Sequence, residues 1–185
     1  MPTFFSQRIA TGTDDQYLWE GDSHWYDETE VIVGSWWSRC DARFRFVIPI
    51  CGTGQTVVSA KLHMYMGEDL KFPSDSVTIS MAKELNPASP TTPAAWTTAT
   101  VSWDLPSPQA PNVWLYTPEL ATVLTEVINQ AGFVAGNAIV VRMYGYESTG
   151  GESDNLYVIS YDRVPGSSPS LEVTYSDRIG GGGMM

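Results

Sequence analysis

In the stretch WLYTPELATVLTEVINQAGFVAGNAIVVRMYGY, Trp114 to Tyr146, a helical repeat is followed directly by a strand repeat. Leu120, Val123, Leu124, Val127, Ile128 and Ala131 recur at helical spacing, with Thr122, Thr125, Glu126 and Asn129 on the opposite side, which predicts one amphipathic helix over about 118–131. Thr117 suits the cap, Pro118 the first helical position, and Glu119 the positive end of the helix dipole. Gly132 is placed to take the left-handed conformation that ends a helix. Beyond the Gly136-Asn137 turn, Ala138 to Tyr144 is β-branched and apolar on both faces, as a strand in the middle of a sandwich must be. A single short helix cannot build a core with its own kind, so it must cover the end or side of a β structure.

The flanking sequence supplies that structure. Thr3–Ile9 and Gln16–Trp19 read as strands around the polar turn Thr11–Asp15, and Glu30–Val33 as another. Phe44, Phe46 and Ile48 alternate with Arg43, Arg45 and Val47, giving a core strand with one polar face. Leu62, Met64 and Met66 share a face, as do Val77, Ile79 and Met81, and as do Leu171, Val173 and Tyr175. Thr100–Trp103 and Leu156–Tyr161 complete about ten strands. Between Asn86 and Thr100 the chain is rich in Pro, Ala and Thr around Trp96, which predicts a wandering surface connection pinned by tryptophans. The expected fold is all-β: a two-sheet antiparallel sandwich over 1–176, followed by a flexible Gly-rich tail over 177–185.

Composition narrows the function. A net charge of −11 over 185 residues repels phosphate backbones and anionic membranes, so neither nucleic acid nor a membrane surface is an expected partner. No basic segment followed by an apolar run stands at Met1–Arg8, and no window approaches a membrane span, so the protein is expected to stay inside the cell that makes it. The two cysteines, Cys40 and Cys51, flank one predicted strand, Arg43–Ile50. That places their Cα atoms roughly 30 Å apart, beyond the reach of a disulfide, and predicts free thiols.

The order of several pieces is informative: Ala42-Arg43-Phe44-Arg45-Phe46, then Ala60-Lys61-Leu62-His63-Met64, then Val101-Ser102-Trp103, the helix, and Ser160-Tyr161-Asp162 ahead of Pro169–Tyr175. From Asp14 to Tyr175 it resembles the jelly-roll modules of the DNRLRE type, related in shape to carbohydrate-binding modules. The resemblance implies a non-catalytic jelly-roll β-sandwich of the kind found in large secreted or surface proteins and, as a stand-alone chain, among tailed-phage structural proteins. This chain departs from the secreted pattern, with no visible signal peptide, second domain or disulfide. Particle assembly and lysis would carry a virion protein outside the cell where secretion would not. The expectation is therefore a virion location and a capsid decoration (cement) role on the major capsid protein or another virion protein. The alternative is a carbohydrate-binding module recognising a polysaccharide through exposed aromatics, or a tail or head fibre component; a homo-oligomer, dimer or trimer, is expected.

Candidate residues carry two readings each. Trp19, Trp25, Tyr26, Trp36 and Trp37 either fill the core or a subunit interface, or present faces on which sugars stack. Trp36 and Trp37 are adjacent, so in a strand at most one joins a given platform. Asp14, Asp15 and Asp154 are the candidates for a structural calcium, although no EF-hand spacing is present and acidic loops are commonly just solvated. No other cofactor is expected. Of the two histidines, His63 alternates with core residues and reads as a sheet-surface residue. No Gly-x-Ser-x-Gly, Ser–His–acid trio or zinc spacing is present, so no catalytic residue is assigned. Arg43 and Arg45 are expected to pair with local carboxylates.

Overall fold

The computed structural model describes residues 2–19, 25–26, 29–36, 38–49, 55–67, 76–104, 111–145 and 154–177. Its strands are β1 (Pro2–Arg8), β2 (Asp15–Trp19), β3 (Glu30–Trp36), β4 (Ser38–Val47), β5 (Gln55–Tyr65), β6 (Ser76–Met81), β7 (Val101–Asp104), β8 (Trp114–Tyr116), β9 (Ala138–Gly145), β10 (Asp154–Ile159) and β11 (Ser170–Asp177), with one α-helix, α1 (Ala121–Ile128). They form two antiparallel sheets. The smaller is four-stranded in the order β1-β11-β5-β8; the larger is seven-stranded, β10-β3-β4-β9-β6-β7 with β2 also paired to β4. The expected all-β antiparallel sandwich is the fold observed.

The alternation read from sequence is what packs the two sheets together. Phe44, Phe46, Ile79, Met81, Val141 and Met143 point inward from the larger sheet and meet Phe5, Leu62, Met64, Leu171 and Val173 from the smaller in one buried cluster. β9 lies between β4 and β6; Ile139, Val141 and Met143 join the core, and Ala138 and Val140 on its other face are buried as well. Cys40 is buried on β4 and donates its thiol to the Ile32 carbonyl at 3.0 Å. Burial first, then the neighbouring Asp41 charge, pushes that thiol's pKa well up, so it behaves as a small apolar residue. Cys51 lies outside the described residues.

The helix is shorter than its sequence pattern. It spans Ala121–Ile128, not 118–131, because the residues expected to form its first turn are engaged by β5 instead. Thr117 does not cap: its N–H donates to the Leu62 carbonyl and its hydroxyl oxygen accepts from the Leu62 N–H, both at 3.0 Å. The Glu119 carboxylate accepts from the Ala60 N–H, and the Leu120 N–H donates to the Ala60 carbonyl at 2.8 Å. Side-chain oxygens of Thr117 and Glu119 thus act as ladder acceptors, extending the pairing begun by β8 past its last residue. Val123, Leu124, Val127 and Ile128 remain fully buried as the stripe requires. Gly132 has φ +92°, as expected, but in the turn beyond the helix, whose last residue is followed by Asn129.

Candidate functional site

Of the aromatics singled out in the sequence, the three with described side chains, Trp19, Trp25 and Tyr26, do not all share a surface. On β2, Tyr17 stacks on Tyr26 with centroids 5.2 Å apart and meets Trp19 edge-on at 5.8 Å. Trp19 and Tyr26 are partly buried and pack against the core. Trp25, next to Tyr26, goes to the other side, where the Arg43 guanidinium lies 4.3 Å from its ring centroid. Trp36 closes β3 opposite Ser38; its side chain, and all of Trp37, lie outside the described residues.

The acidic candidates are largely committed to the protein itself. Asp14 pairs with Arg45 at 3.1 Å, and the wholly buried Asp15 accepts the Tyr161 N–H at 2.8 Å. The side chain of Asp154 lies outside the described residues. Among the described residues no group of three potential metal-ligating side chains comes together.

The outer face of the larger sheet carries a charged ladder. Asp41 accepts from Nε and Nη2 of Arg43, at 3.1 and 2.9 Å, and from Nε of Arg142 at 2.9 Å. Trp96 sits between the two guanidinium groups, at 4.7 Å from Arg43 and 4.9 Å from Arg142, and Tyr144 lies 4.3 Å beyond Arg142. This face was expected to be simply polar. It is instead covered: Arg43 donates to the carbonyls of Pro90, Thr91 and Pro93, and Arg45 to that of Pro87, so the Pro-rich connection lies flat on the sheet. Arginines therefore pin that connection, with Trp96 as a wedge. A proline-rich segment has few N–H groups to offer a sheet but many carbonyls, and guanidinium donors match that surplus.

The exposed aromatic surface lies on the smaller sheet. β8 pairs with β5 so that Tyr116 faces His63 and Trp114 faces Tyr65, while Leu115 and Met64 turn toward the core. His63 stacks on Tyr116 with centroids 4.0 Å apart and planes 6° apart, and lies 4.3 Å from Trp114, which meets Tyr65 at 5.0 Å. Arg8 reaches over the Trp114 ring at 5.6 Å, and Glu172 lies 3.5 Å from His63 Nδ1. Tyr116 and Trp114 remain 49% and 38% exposed. Burial lowers the His63 pKa, with Arg8 acting the same way and Glu172 opposing, so at neutral pH the ring is an uncharged member of the stack. His63 is on the sheet surface, as its alternation indicated. Trp114 and Tyr116 were missed because they read as the lead-in to the helix. The signal was present in the alternation Trp-Leu-Tyr, aromatic out and apolar in.

No family model matches this chain, and no curated protein matches it. Among solved structures, a chain in the structure of the Gx strain of infectious bursal disease virus aligns with 98% of this chain at 12% identity and a TM-score of 0.30. The match spans 37% of that viral chain, little more than a third of its length. Among the described residues no helix is long and apolar enough to cross a membrane. Fold and surface together define an antiparallel β-sandwich with an open aromatic face on its smaller sheet.

Proposed function

We propose that this chain is a non-catalytic structural protein of a virus particle, a capsid decoration (cement) protein that docks on the shell and stabilises it. The observation that carries this reading is the surface in which the exposed Trp114 and Tyr116 pack on the half-buried His63 and Tyr65 of the neighbouring strand. Tryptophan and tyrosine are the side chains that anchor protein interfaces, each contributing about 25 cal/mol per Å² of apolar area buried. The charged groups of the opposite face support a binding role over a catalytic one, since Asp41, Arg43 and Arg142 are spent on holding the Pro-rich connection. The order of motifs shared with DNRLRE-type modules points toward a virion partner, with the major capsid protein the first candidate. In mass spectrometry of density-purified particles, the protein is expected at a fixed ratio to the major shell protein. Trp114→Ala combined with Tyr116→Ala should remove it from particles while leaving it folded in the soluble fraction. Recovery of the unaltered protein only in the soluble fraction would overturn the reading.

A second reading uses the same surface. Apolar sugar faces stack on exposed aromatic rings, and Arg8 and Glu172 offer hydrogen-bonding groups at the rim. Affinity electrophoresis in polysaccharide gels separates the two: retardation abolished by Trp114→Ala, in a protein absent from particles, favours glycan recognition.

A further inference from the structure

We infer that β1 is a self-pairing edge, through which two copies of this chain join their smaller sheets into one continuous sheet about a two-fold axis. Among the described residues β1 has one neighbour, β11, paired along its whole length from Pro2 opposite Ser176 to Arg8 opposite Ser170. The Ile9 N–H donates to the Pro169 carbonyl at 3.1 Å, which fixes the phase of that ladder. Gln7, Phe5 and Thr3 direct their main-chain groups toward β11; Arg8, Ser6, Phe4 and Pro2 direct theirs outward.

The other ends of the two sheets differ. β8 and β7 are short, with 3 and 4 residues, and the outer side of β10 is met by Met66 and Gly67 at Val158 and Tyr157. β1 offers 7 residues whose outer side pairs with no described strand.

The occupant that fits is a second β1. In an antiparallel pairing centred on Phe5, Phe4 and Ser6 of each copy exchange both main-chain bonds, and the Arg8 N–H of each copy meets the Pro2 carbonyl of the other. Proline has no N–H to return, and the Arg8 carbonyl it would have served already accepts the Gln7 side chain at 3.0 Å. The register therefore strands no main-chain group. Phe4, 60% exposed on the outer face, comes diagonal to Phe4 of the second copy, within reach of an aromatic contact. Charge also allows the approach: in a chain of net −11, the segment Pro2–Arg8 contains one arginine and no carboxylate. Of the devices by which natural proteins keep edges apart, inward charges, bulges and very short strands are absent from β1, and its proline and arginine stand at its two ends, where they meet each other in this register.

Sedimentation equilibrium on the full chain tests this. The unaltered protein should be a dimer in the micromolar range, and the Ser6 and Arg8 amides should gain hydrogen-exchange protection as concentration rises. Ser6→Pro removes an outward N–H that the monomer does not use, so the fold tolerates it. It takes one ladder donor from each copy and should weaken the dimer roughly a hundredfold. Phe4→Lys, which charges the edge without touching the backbone, should do the same if Ser6→Pro fails to fold. Trp114→Ala with Tyr116→Ala should leave the dimer intact. A monomeric unaltered protein, a dimer that survives in folded Ser6→Pro or Phe4→Lys protein, or one lost only in the Trp114/Tyr116 variant would each overturn the proposal. Because the measurement needs only the purified chain, it is independent of whether the chain is found on particles.

Discussion

Asp41 pairs with two guanidinium groups at once, with its own side chain and that of Arg43 each only 9% exposed. Breaking a buried pair leaves a charge with no counterion, which costs far more than the pair gains. Asp41→Ala should therefore lower unfolding free energy by about 3–5 kcal/mol in urea denaturation, and should expose the Pro-rich connection to protease. His63 gives a pH signature of known sign. Its folded pKa lies below the ordinary 6.5, so the unfolded chain takes up the proton first. The stability it contributes is complete above that value and is lost as pH falls through the folded pKa. His63→Gln should flatten this part of a melting-temperature profile between pH 7 and pH 5; an unchanged profile would assign the loss to other groups. Residue pairing was partly legible beforehand: arginines alternating on a strand of an acidic protein find carboxylates, and Arg43 and Arg45 do. The aromatic cluster was not legible, because nearness in sequence among Trp19, Trp25 and Tyr26 carries no information about which side of a sheet each ring occupies.

At the level of elements, Glu119 shows why the strand pattern was easier to read than the helix start. Strand periodicity is enforced by the core over many residues, whereas the choice between helix and ladder at Thr117–Leu120 rests on a few hydrogen bonds to β5 that no local pattern reveals. Both uses of a Thr-Pro-Glu segment are chemically sound, and tertiary pairing wins because the buried Ala60 N–H needs an acceptor. Glu119→Ala leaves that donor unmet and should cost about 1–3 kcal/mol, read from thermal or urea unfolding. Glu119→Gln, which keeps an acceptor oxygen, should recover most of it. The same oxygen also accepts the N–H of Ala121, the first helical residue, at 3.0 Å, so some loss of helical signal should accompany the fall in stability. The strand β8 escaped notice for a related reason: three residues are too few for a periodicity to stand out, and its partner lies about fifty positions earlier in the chain.

Across the whole molecule, the two exposed features proposed as contacts lie on the same sheet but serve different directions. The aromatic face looks outward from the sheet plane and β1 looks sideways within it, so docking on a shell and pairing with a second copy do not compete for the same groups. A pair of copies would present two aromatic faces on one side, and particle retention should then fall more steeply in Ser6→Pro protein than loss of one main-chain donor explains. Quantifying copies per particle for that variant checks the combination. Gross architecture was legible because alternation, turn residues and a lone amphipathic helix all pointed to one fold. The order of strands was not, because β11 sits between β1 and β5, joining parts of the chain that are distant in sequence. That placement also has a consequence in time. A ribosome releases β1 and β5 more than a hundred residues ahead of β11, so the smaller sheet has no centre until β11 emerges. Until then β1 and β5 are both bare edges, and refolding yield should fall with concentration and rise when a holding chaperone covers them. Assembly of this sandwich is thus paced by β11.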